Sequence, residues 1–209
     1  SIPVQRQTDH SYLTELARKA GYVFYIDPGP AVGTSTAYWG PEFRIGTPQP
    51  ALSTNMDSHS NVESVSFRYR ADRASLPVVF AMEQGIPIPV PIPNVSILKP
   101  ALGSVPPIPK RITRLRGLSS SGAVRAMMIG LAEAADKQDV VSGSGSLDVR
   151  RYGRVLKARH LVGVRGAGSS FDGLHFVTSV TSTLRRGSFT QNFNLVRNGL
   201  LSTVPNVPV

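Results

Sequence analysis

The chain has 209 residues, with 23 Lys and Arg against 13 Asp and Glu, and its formal net charge is +10. A hydrophobic content of 41% excludes a disordered polyelectrolyte, and no apolar run reaches the roughly 18 residues that a membrane-spanning helix requires. Because cysteine is absent, disulfide scaffolds, thiolate zinc sites and cysteine nucleophiles are excluded as well.

The excess positive charge lies entirely in the second half of the chain. Residues 1–109 hold eight basic and eight acidic side chains, whereas residues 110–209 hold fifteen and five. We therefore expect the two halves to face different surroundings. The chain does not begin with Met, and its first residues show no signal-peptide pattern, so we expect a processed chain or an excised fragment.

A small α+β domain is predicted over residues 1–76. Thr8 or Asp9 is placed to cap a helix with one apolar face, and Gly21 favours its left-handed end. Three strands are predicted after the helix, at residues 22–26, 37–39 and 64–70. The last of these alternates apolar and polar residues, which is the pattern of a half-exposed strand.

Residues 77–109 are predicted to form an extended, proline-rich connector. They contain nine of the 17 prolines, and proline fixes φ and lacks the N–H that a sheet interior needs. The residues between the prolines are apolar, whereas a solvated linker is polar. We therefore expect an arm that lies along a neighbouring surface or subunit, and its candidate interface residues are Ile86, Ile88, Val90 and Ile92.

Residues 110–198 are predicted to form a tube-like antiparallel β-barrel with one flanking helix. The helix is expected at residues 124–135, a Gly/Ser turn at Ser142 to Ser146, and strands at residues 155–164, 174–184 and 189–196. The Asp172-Gly173 pair and the Arg186-Gly187-Ser188 segment are typical of hairpin turns. Residues 199–209 then leave as an extended tail. The predicted class is α+β, mainly β.

The sequence offers no set of residues suited to catalysis. The four histidines lack the short spacing of a metal pair, and no serine has the flanking glycines of a nucleophile elbow. The glycine-rich segment at 163–168 opens no helix and carries no phosphate-binding lysine. We therefore expect no enzyme activity, no catalytic residue, no cofactor and no metal.

The second half carries two basic clusters, one at residues 110–116 and one at residues 150–159. Such clusters can hold a phosphate backbone, which keeps open the alternative of a basic nucleic-acid-binding domain. The competing interpretation is contact with an acidic partner subunit. Arginine outnumbers lysine 12 to 3 in this half, and arginine suits fixed bidentate contacts at interfaces.

Several stretches resemble phage baseplate hub proteins, the late control protein D family, whose hub element also occurs in type VI secretion spike proteins and contractile injection systems. The first is TDHSYLTELARKAGYVFY at residues 8–25, which resembles the helix-then-strand entry of that family. The closing strands are similar in RYGRVL at 151–156, LVGVRGAG at 161–168, FDGLHFVTSV at 171–180 and RGSFTQNF at 186–193.

The resemblance implies a structural baseplate hub component that joins a tail tube to a central spike as a homotrimer. The implied partners are the tail tube protein, the spike protein and other baseplate proteins, with nucleic acid only as channel cargo and no membrane insertion. Assembly would take place in the bacterial cytoplasm, followed by incorporation into a virion or tail-like particle. Five arginines are then candidates to face the channel or a neighbouring subunit: Arg150, Arg151, Arg154, Arg159 and Arg165.

Family members usually carry another barrel domain before this helix, which supports the interpretation of the chain as a fragment. Two other functions stay open at this point. One is the basic nucleic-acid-binding domain, and the other is a peptidoglycan-degrading tail enzyme.

Overall fold

A computed structural model describes residues 5, 7–83, 86–91, 99–108, 111–114, 139–205 and 207. Its helices and strands are α1 Asp9–Lys19, β1 Val23–Pro28, β2 Ser35–Gly40, β3 Gln49–Ser53, β4 Ser64–Tyr69, β5 Ser75–Glu83, β6 Ile86–Pro91, β7 Gly103–Val105, β8 Arg111–Arg114, β9 Val141–Asp148, α2 Val149–Tyr152, β10 Leu161–Arg165, β11 Gly173–Arg185, β12 Ser188–Arg197 and β13 Leu200–Ser202. Short 3₁₀ turns lie at Asp57–His59 and Ala71–Arg73. The α+β, mainly β class is confirmed.

The chain divides into two compact units. The first contains Ser1–Glu42, Leu76–Asn94 and Ile112–Ala134. The second contains Phe43–Ser75, Val95–Arg111 and Ala135–Val209. Strands from both halves of the sequence therefore belong to the second unit, which the predicted order of small domain, connector and barrel did not anticipate.

In the first unit, α1 precedes the β1–β2 hairpin. The Thr8 side chain accepts a hydrogen bond from the Ser11 N–H, and Gly21 ends the helix with φ 75°, as predicted. Strands β1 and β2 are antiparallel, with Phe24 opposite Trp39 and Tyr25 opposite Tyr38. These cross-strand aromatic pairs stabilise the hairpin formed by the strands predicted at residues 22–26 and 37–39.

The proline-rich segment of the first unit is extended, as predicted, but part of it is a hairpin. Strand β6 pairs antiparallel with β5, and the sheet order is β6-β5-β8. Pro87, Pro89 and Pro91 therefore lie on a strand at the edge of the sheet, where a missing N–H costs least, whereas Pro77 lies near the start of the middle strand β5. Of the candidate arm residues, Ile86, Ile88 and Val90 lie on β6, and Ile92 is outside the described residues.

The second unit is built on a six-stranded sheet with the order β3-β10-β11-β12-β9-β4. All its pairs are antiparallel except β3 with β10, which is parallel. Its main apolar cluster lies on one face of the sheet and includes Leu52, Leu147, Val162, Val177 and Phe193. A smaller buried cluster of Leu102, Leu161 and Phe176 covers part of the other face. Strands β7 and β13 form a separate two-stranded sheet.

The sheet curls so that its two edges approach each other, but the described strands do not close a barrel. The Ser53 carbonyl at the end of β3 accepts a hydrogen bond from the Asn61 N–H (3.0 Å), only three residues before β4 begins. The Asn61 side chain also bonds both the Ser53 N–H and the Ala51 carbonyl. A side-chain amide thus occupies the edge of β3 where a neighbouring strand would otherwise pair.

The predicted Gly/Ser turn at Ser142 to Ser146 is wrong, because these residues form the middle of β9. Gly143 and Gly145 point toward the core, where a Cβ would lie 2.6 Å from the Phe67 ring and 2.7 Å from the Phe193 ring. The glycines make room for two aromatic side chains, and the intervening serines face outward.

The predicted strand at residues 155–164 is shorter than expected. Only Leu161–Arg165 forms β10, and residues 153–160 form an irregular segment. The turn at Arg186–Gly187 is confirmed, with Gly187 at φ 80°. The helix predicted at residues 124–135 lies outside the described residues.

Candidate interaction surface

Residues 149–160, which we name the cap, cover the core at one end of the six-stranded sheet. Val149, Tyr152 and Leu156 are buried in the core cluster. The charged residues between them are exposed: Arg150, Arg151, Arg154 and Lys157. The spacing of apolar residues in a short helix and loop therefore decides which side chains anchor the cap and which face solvent.

Two glutamine side chains hold the cap on the sheet. The Gln191 amide of β12 accepts from the Leu156 N–H (2.8 Å) and donates to the Leu156 carbonyl (3.1 Å). The Gln49 amide of β3 makes the same pair of bonds with Lys157, at 2.8 and 3.0 Å. Each amide replaces a strand partner, which satisfies the cap backbone without a β-ladder.

The start and end of α2 are fixed by Asp148 and Gly153. The Asp148 carboxylate accepts from the Arg150 N–H (2.8 Å) and from the Arg150 guanidinium (2.9 Å). These bonds to Arg150 hold the pKa of Asp148 below its usual range. Gly153 ends the helix at φ 82°. Arg150 is therefore committed to a local ion pair.

Tyr152 joins the cap to the edge of the sheet. Its hydroxyl donates to the Pro50 carbonyl (2.6 Å), and the ring is buried. Burial raises the pKa of Tyr152 to about 12, so the hydroxyl stays protonated and keeps its role as donor.

The β11–β12 hairpin extends past its neighbours at the same end of the sheet. The last pair between β12 and β9 is Thr190 with Asp148, whereas β11 and β12 stay paired as far as Arg185 with Ser188. The projecting part, which we name the hairpin tip, comprises residues 184–189. Arg185 and Arg186 are exposed there, and Leu184 is 77% exposed.

The cap and the hairpin tip are linked through one side chain. Besides its two bonds to Leu156, the Gln191 amide donates to the Ser182 hydroxyl of β11 (3.0 Å). At roughly 3.3 Å per residue, Arg185 lies about 10 Å beyond Ser182 along the strand. The cap next to Leu156 therefore lies close to the base of the tip.

We name Arg151, Arg154, Lys157, Arg185 and Arg186 the basic rim. All five are exposed, and within the described part of the chain none of them forms an ion pair with a carboxylate. Two exposed aliphatic side chains lie among them, Leu184 on the tip and Val155 (50% exposed) on the cap.

The five arginines that the sequence nominated do not all lie on the same surface. Arg150, Arg151 and Arg154 lie on the cap, but Arg150 is paired with Asp148. Arg159 adopts φ 61°, and its N–H donates to the Val177 carbonyl. Arg165 lies at the end of β10 that points away from the cap, opposite Ser53 of β3.

The sequence did not nominate Arg185 and Arg186 as members of this surface, because Arg186 was assigned only to a turn and Arg185 was not singled out. The available signal was the long β11 pattern, which predicts that a hairpin ending in two arginines projects from the sheet. No spacing rule relates that turn to the cap, since Gln191 makes the connection in three dimensions.

The opposite end of the sheet contains buried arginines. Arg197 is fully buried, and its guanidinium donates to the carbonyls of Gly199 (2.8 Å), Asp172 (2.8 Å), Phe171 (3.5 Å) and Ser170. Arg44 forms a buried bidentate pair with Asp139, at 2.6 and 2.8 Å. These arginines are held by internal partners.

His175 is also buried near Arg197. Its Nδ1 bonds the Gly173 carbonyl (3.2 Å), its ring lies 5.2 Å from the Phe67 ring, and Nε2 has no partner among the described residues. Burial, reinforced by the charge of Arg197, lowers the pKa of His175 to about 3. The imidazole is therefore neutral at ordinary pH.

A shallow groove of about 420 Å³ crosses the outward face of the sheet. Its polar lining consists of hydroxyl and amide side chains, from Ser64, Ser66, Ser144, Ser146, Thr181, Asn192 and Asn194. Among the described residues, the lining of this groove therefore contains no charged side chain.

Within the described ranges, no three His, Asp or Glu side chains come together as a metal site would require. No helix among the same residues has both the length and the apolar character for crossing a membrane.

The fold is shared with solved tail proteins. The tail protein from Neisseria meningitidis MC58 is similar with a TM-score of 0.58 and 16% identity, over 96% of this chain and 58% of that chain. The 43 kDa tail protein of prophage MuSo2 from Shewanella oneidensis is similar with a TM-score of 0.55 and 16% identity, over 94% of this chain and 55% of that chain. The chain therefore spans little more than half the length of these two proteins.

No protein-family model and no curated protein matches the chain. At 16% identity, the two structural matches show a common fold.

Proposed function

We propose that the chain is a structural component of a phage tail or tail-like particle. The observation that carries this proposal is the likeness of nearly the whole chain, 94 to 96% of it, to two tail proteins. The order of elements adds support, because α1, β1 and the strands β10 to β12 coincide with the stretches that resemble baseplate hub proteins.

Within such a particle, the role is that of a baseplate hub subunit, of the kind found in contractile tails and injection systems. Three copies form a ring that joins the tail tube to the central spike. The proposed role is architectural and not enzymatic. The cap is held by glutamine side chains, and the arginines at the opposite end of the sheet, which we name the far end, are bonded internally, so that the unit is rigid. The exposed basic rim is available to a partner.

Electron microscopy of particles labelled with an antibody against this chain tests the proposal. A hub subunit gives label at the junction of tube and spike, at one end of each tail. Label along the tube, on fibres or on no particle at all would contradict it. The mass of the isolated protein in solution is a second test, because a trimer has three times the 22.4 kDa of one chain.

A further inference from the structure

The basic rim is a concentrated and uncompensated charge. Its five cations lie on one end of one sheet, on two segments joined through Gln191. Because these like charges lie at the same end of the sheet, they repel one another, which slightly lowers the free energy of unfolding of the isolated chain. An acidic partner would relieve that repulsion. The arginines at the far end of the sheet need no such partner, because their guanidinium groups bond to acceptors within the chain.

The side chains around the charges distinguish a protein partner from a nucleic acid. Four of the five rim cations are arginines, which bind carboxylates through two parallel hydrogen bonds. The exposed neighbours are Leu184 and Val155, both aliphatic. Single-stranded nucleic acids are held by stacking on exposed aromatic rings. Of the rings on the cap and the hairpin tip, Tyr152 is buried and Phe189 packs against the core, which leaves only the His160 imidazole exposed.

We propose that the basic rim is a docking surface for an acidic protein face in which carboxylates surround an apolar spot. Leu184 enters the apolar spot, and Arg151, Arg154, Arg185 and Arg186 pair with the carboxylates around it. This arrangement matches the usual anatomy of an interface, with an apolar centre and a polar border. The inference rests on the proposed function only in taking the partner to be a protein of the same particle.

The rim is preorganised for such docking. Leu156 and Lys157 each make two bonds to a glutamine amide, and Gly153 and Asp148 fix the ends of α2. The partner therefore orders only side-chain tips, which lowers the entropic cost of binding.

Binding of the isolated chain to labelled probes tests the inference. The first probe is a helical peptide that presents glutamates with a leucine at every fourth position, and the second is the same peptide with glutamine in place of leucine. The third probe is a mixed-sequence DNA duplex. At low ionic strength we expect the leucine-containing peptide to bind most tightly and the DNA most weakly.

Two variants locate the binding. The double variant Arg185→Glu with Arg186→Glu is expected to weaken binding of both peptides by tenfold or more. Its matched control is Arg68→Glu with Arg70→Glu, which changes the net charge equally on exposed residues of β4 and its end, away from the cap. We expect less than a threefold loss for the control.

Leu184→Ser separates the apolar contact from the charges. It is expected to weaken binding of the leucine-containing peptide severalfold and to leave binding of the glutamine-containing peptide unchanged. Circular dichroism checks that each variant keeps its fold.

Three results would overturn the inference. Equal losses from the rim and control variants would show that net charge alone attracts the peptides. Tighter binding of DNA than of either peptide, lost in the rim variant, would make the rim a nucleic-acid surface. An absence of peptide binding would remove the docking surface altogether. None of these results bears on antibody labelling at the tube–spike junction, so failure here and failure of the hub role are distinguishable.

Discussion

The two ends of the six-stranded sheet use arginine in opposite ways. At the far end, the guanidinium of Arg197 is enclosed by four backbone carbonyls, and Arg44 is paired with Asp139. At the cap end, Arg151, Arg154, Arg185 and Arg186 are exposed and have no carboxylate partner in the described part of the chain. The same residue type stabilises the fold at one end and presents charge to solvent at the other.

The difference arises from the groups that surround each arginine side chain. Arg197 is the last residue of β12, opposite Val141 of β9, and its guanidinium meets a loop whose carbonyls converge on it. The rim arginines lie on a short helix, a loop, the last residue of β11 and a turn, and none of them has a carboxylate partner among the described residues. Five changes test this difference between the two ends, and they are given in decreasing order of expected effect.

Arg197→Met is expected to have the largest effect on stability. It removes a fully buried guanidinium and leaves its carbonyl acceptors without a donor, which should lower the free energy of unfolding by about 4 kcal/mol. Urea denaturation measures the change, with the exposed Arg68→Met as control. A loss no greater than that of the control would show that the far-end cluster does not hold the fold.

Gly145→Ala tests the close packing that makes β9 possible. The added Cβ would lie 2.3 Å from the Ser64 carbonyl oxygen and 2.7 Å from the Phe193 ring, so the strands or the ring must shift. We expect a loss of about 3 kcal/mol in the free energy of unfolding. Ser144→Ala on the outward face of the same strand is the control, and an equal effect of the two changes would contradict the assigned orientation of β9.

Acid should weaken the far end through His175. Because its pKa falls from about 6.5 when unfolded to about 3 when folded, the unfolded chain binds more protons between these values. This group therefore lowers the free energy of unfolding by roughly 1.4 kcal/mol per pH unit as the pH falls below about 6. At pH 5 the loss is about 2 kcal/mol.

Denaturation at pH 7 and pH 5 measures this effect, and His175→Phe is the comparison. The variant should lose the contribution of His175 to the pH dependence and keep that of the other groups. If the wild type and the variant showed the same pH dependence, His175 would not be the titrating group.

Gln191→Leu keeps the volume of the side chain but removes its bonds to Leu156 and Ser182. We expect a loss of about 1 to 2 kcal/mol, concentrated in the cap. Hydrogen exchange at the Leu156 amide should become faster, while exchange in β10 changes little. Asn192→Leu, on the outward face of the same strand, is the control. Unchanged exchange at Leu156 would show that Gln191 does not hold the cap.

The smallest effect is expected at the rim itself. Changing Arg151, Arg154, Arg185 and Arg186 together to Gln should alter the free energy of unfolding by no more than about 0.5 kcal/mol, since none of the four is buried. A loss of unfolding free energy comparable to that of Arg197→Met would show that the rim arginines also stabilise the fold, which contradicts the difference between the two ends.

Several elements were predictable because one local signal determined each of them. Thr8 and Gly21 mark the ends of α1, the alternation of Val65 and Phe67 with serines marks β4, and Gly187 marks the β11–β12 turn. In these cases the capping, periodicity and turn chemistry agree with the tertiary structure.

Other elements depend on partners distant in sequence and could not be predicted. The Gly/Ser run of β9 has the composition of a turn, and only the Phe67 and Phe193 rings explain its glycines. Residues 155–160 of the cap were predicted as part of a strand. Their departure from strand structure depends on the side chains of Gln49 and Gln191, which bond the backbone of Lys157 and Leu156. Arg165 was grouped with the cap arginines because spacing along the chain does not show at which end of a strand a residue lies.

The proposed docking requires that the rim be covered in the assembled particle. The chain contains no cysteine, so Leu184→Cys introduces a single thiol on the hairpin tip and the unmodified chain supplies the background. Maleimide labelling should be rapid in the isolated protein and strongly reduced in particles that contain it. Equal labelling in the isolated protein and in the particle would contradict the assignment of the basic rim as a docking surface.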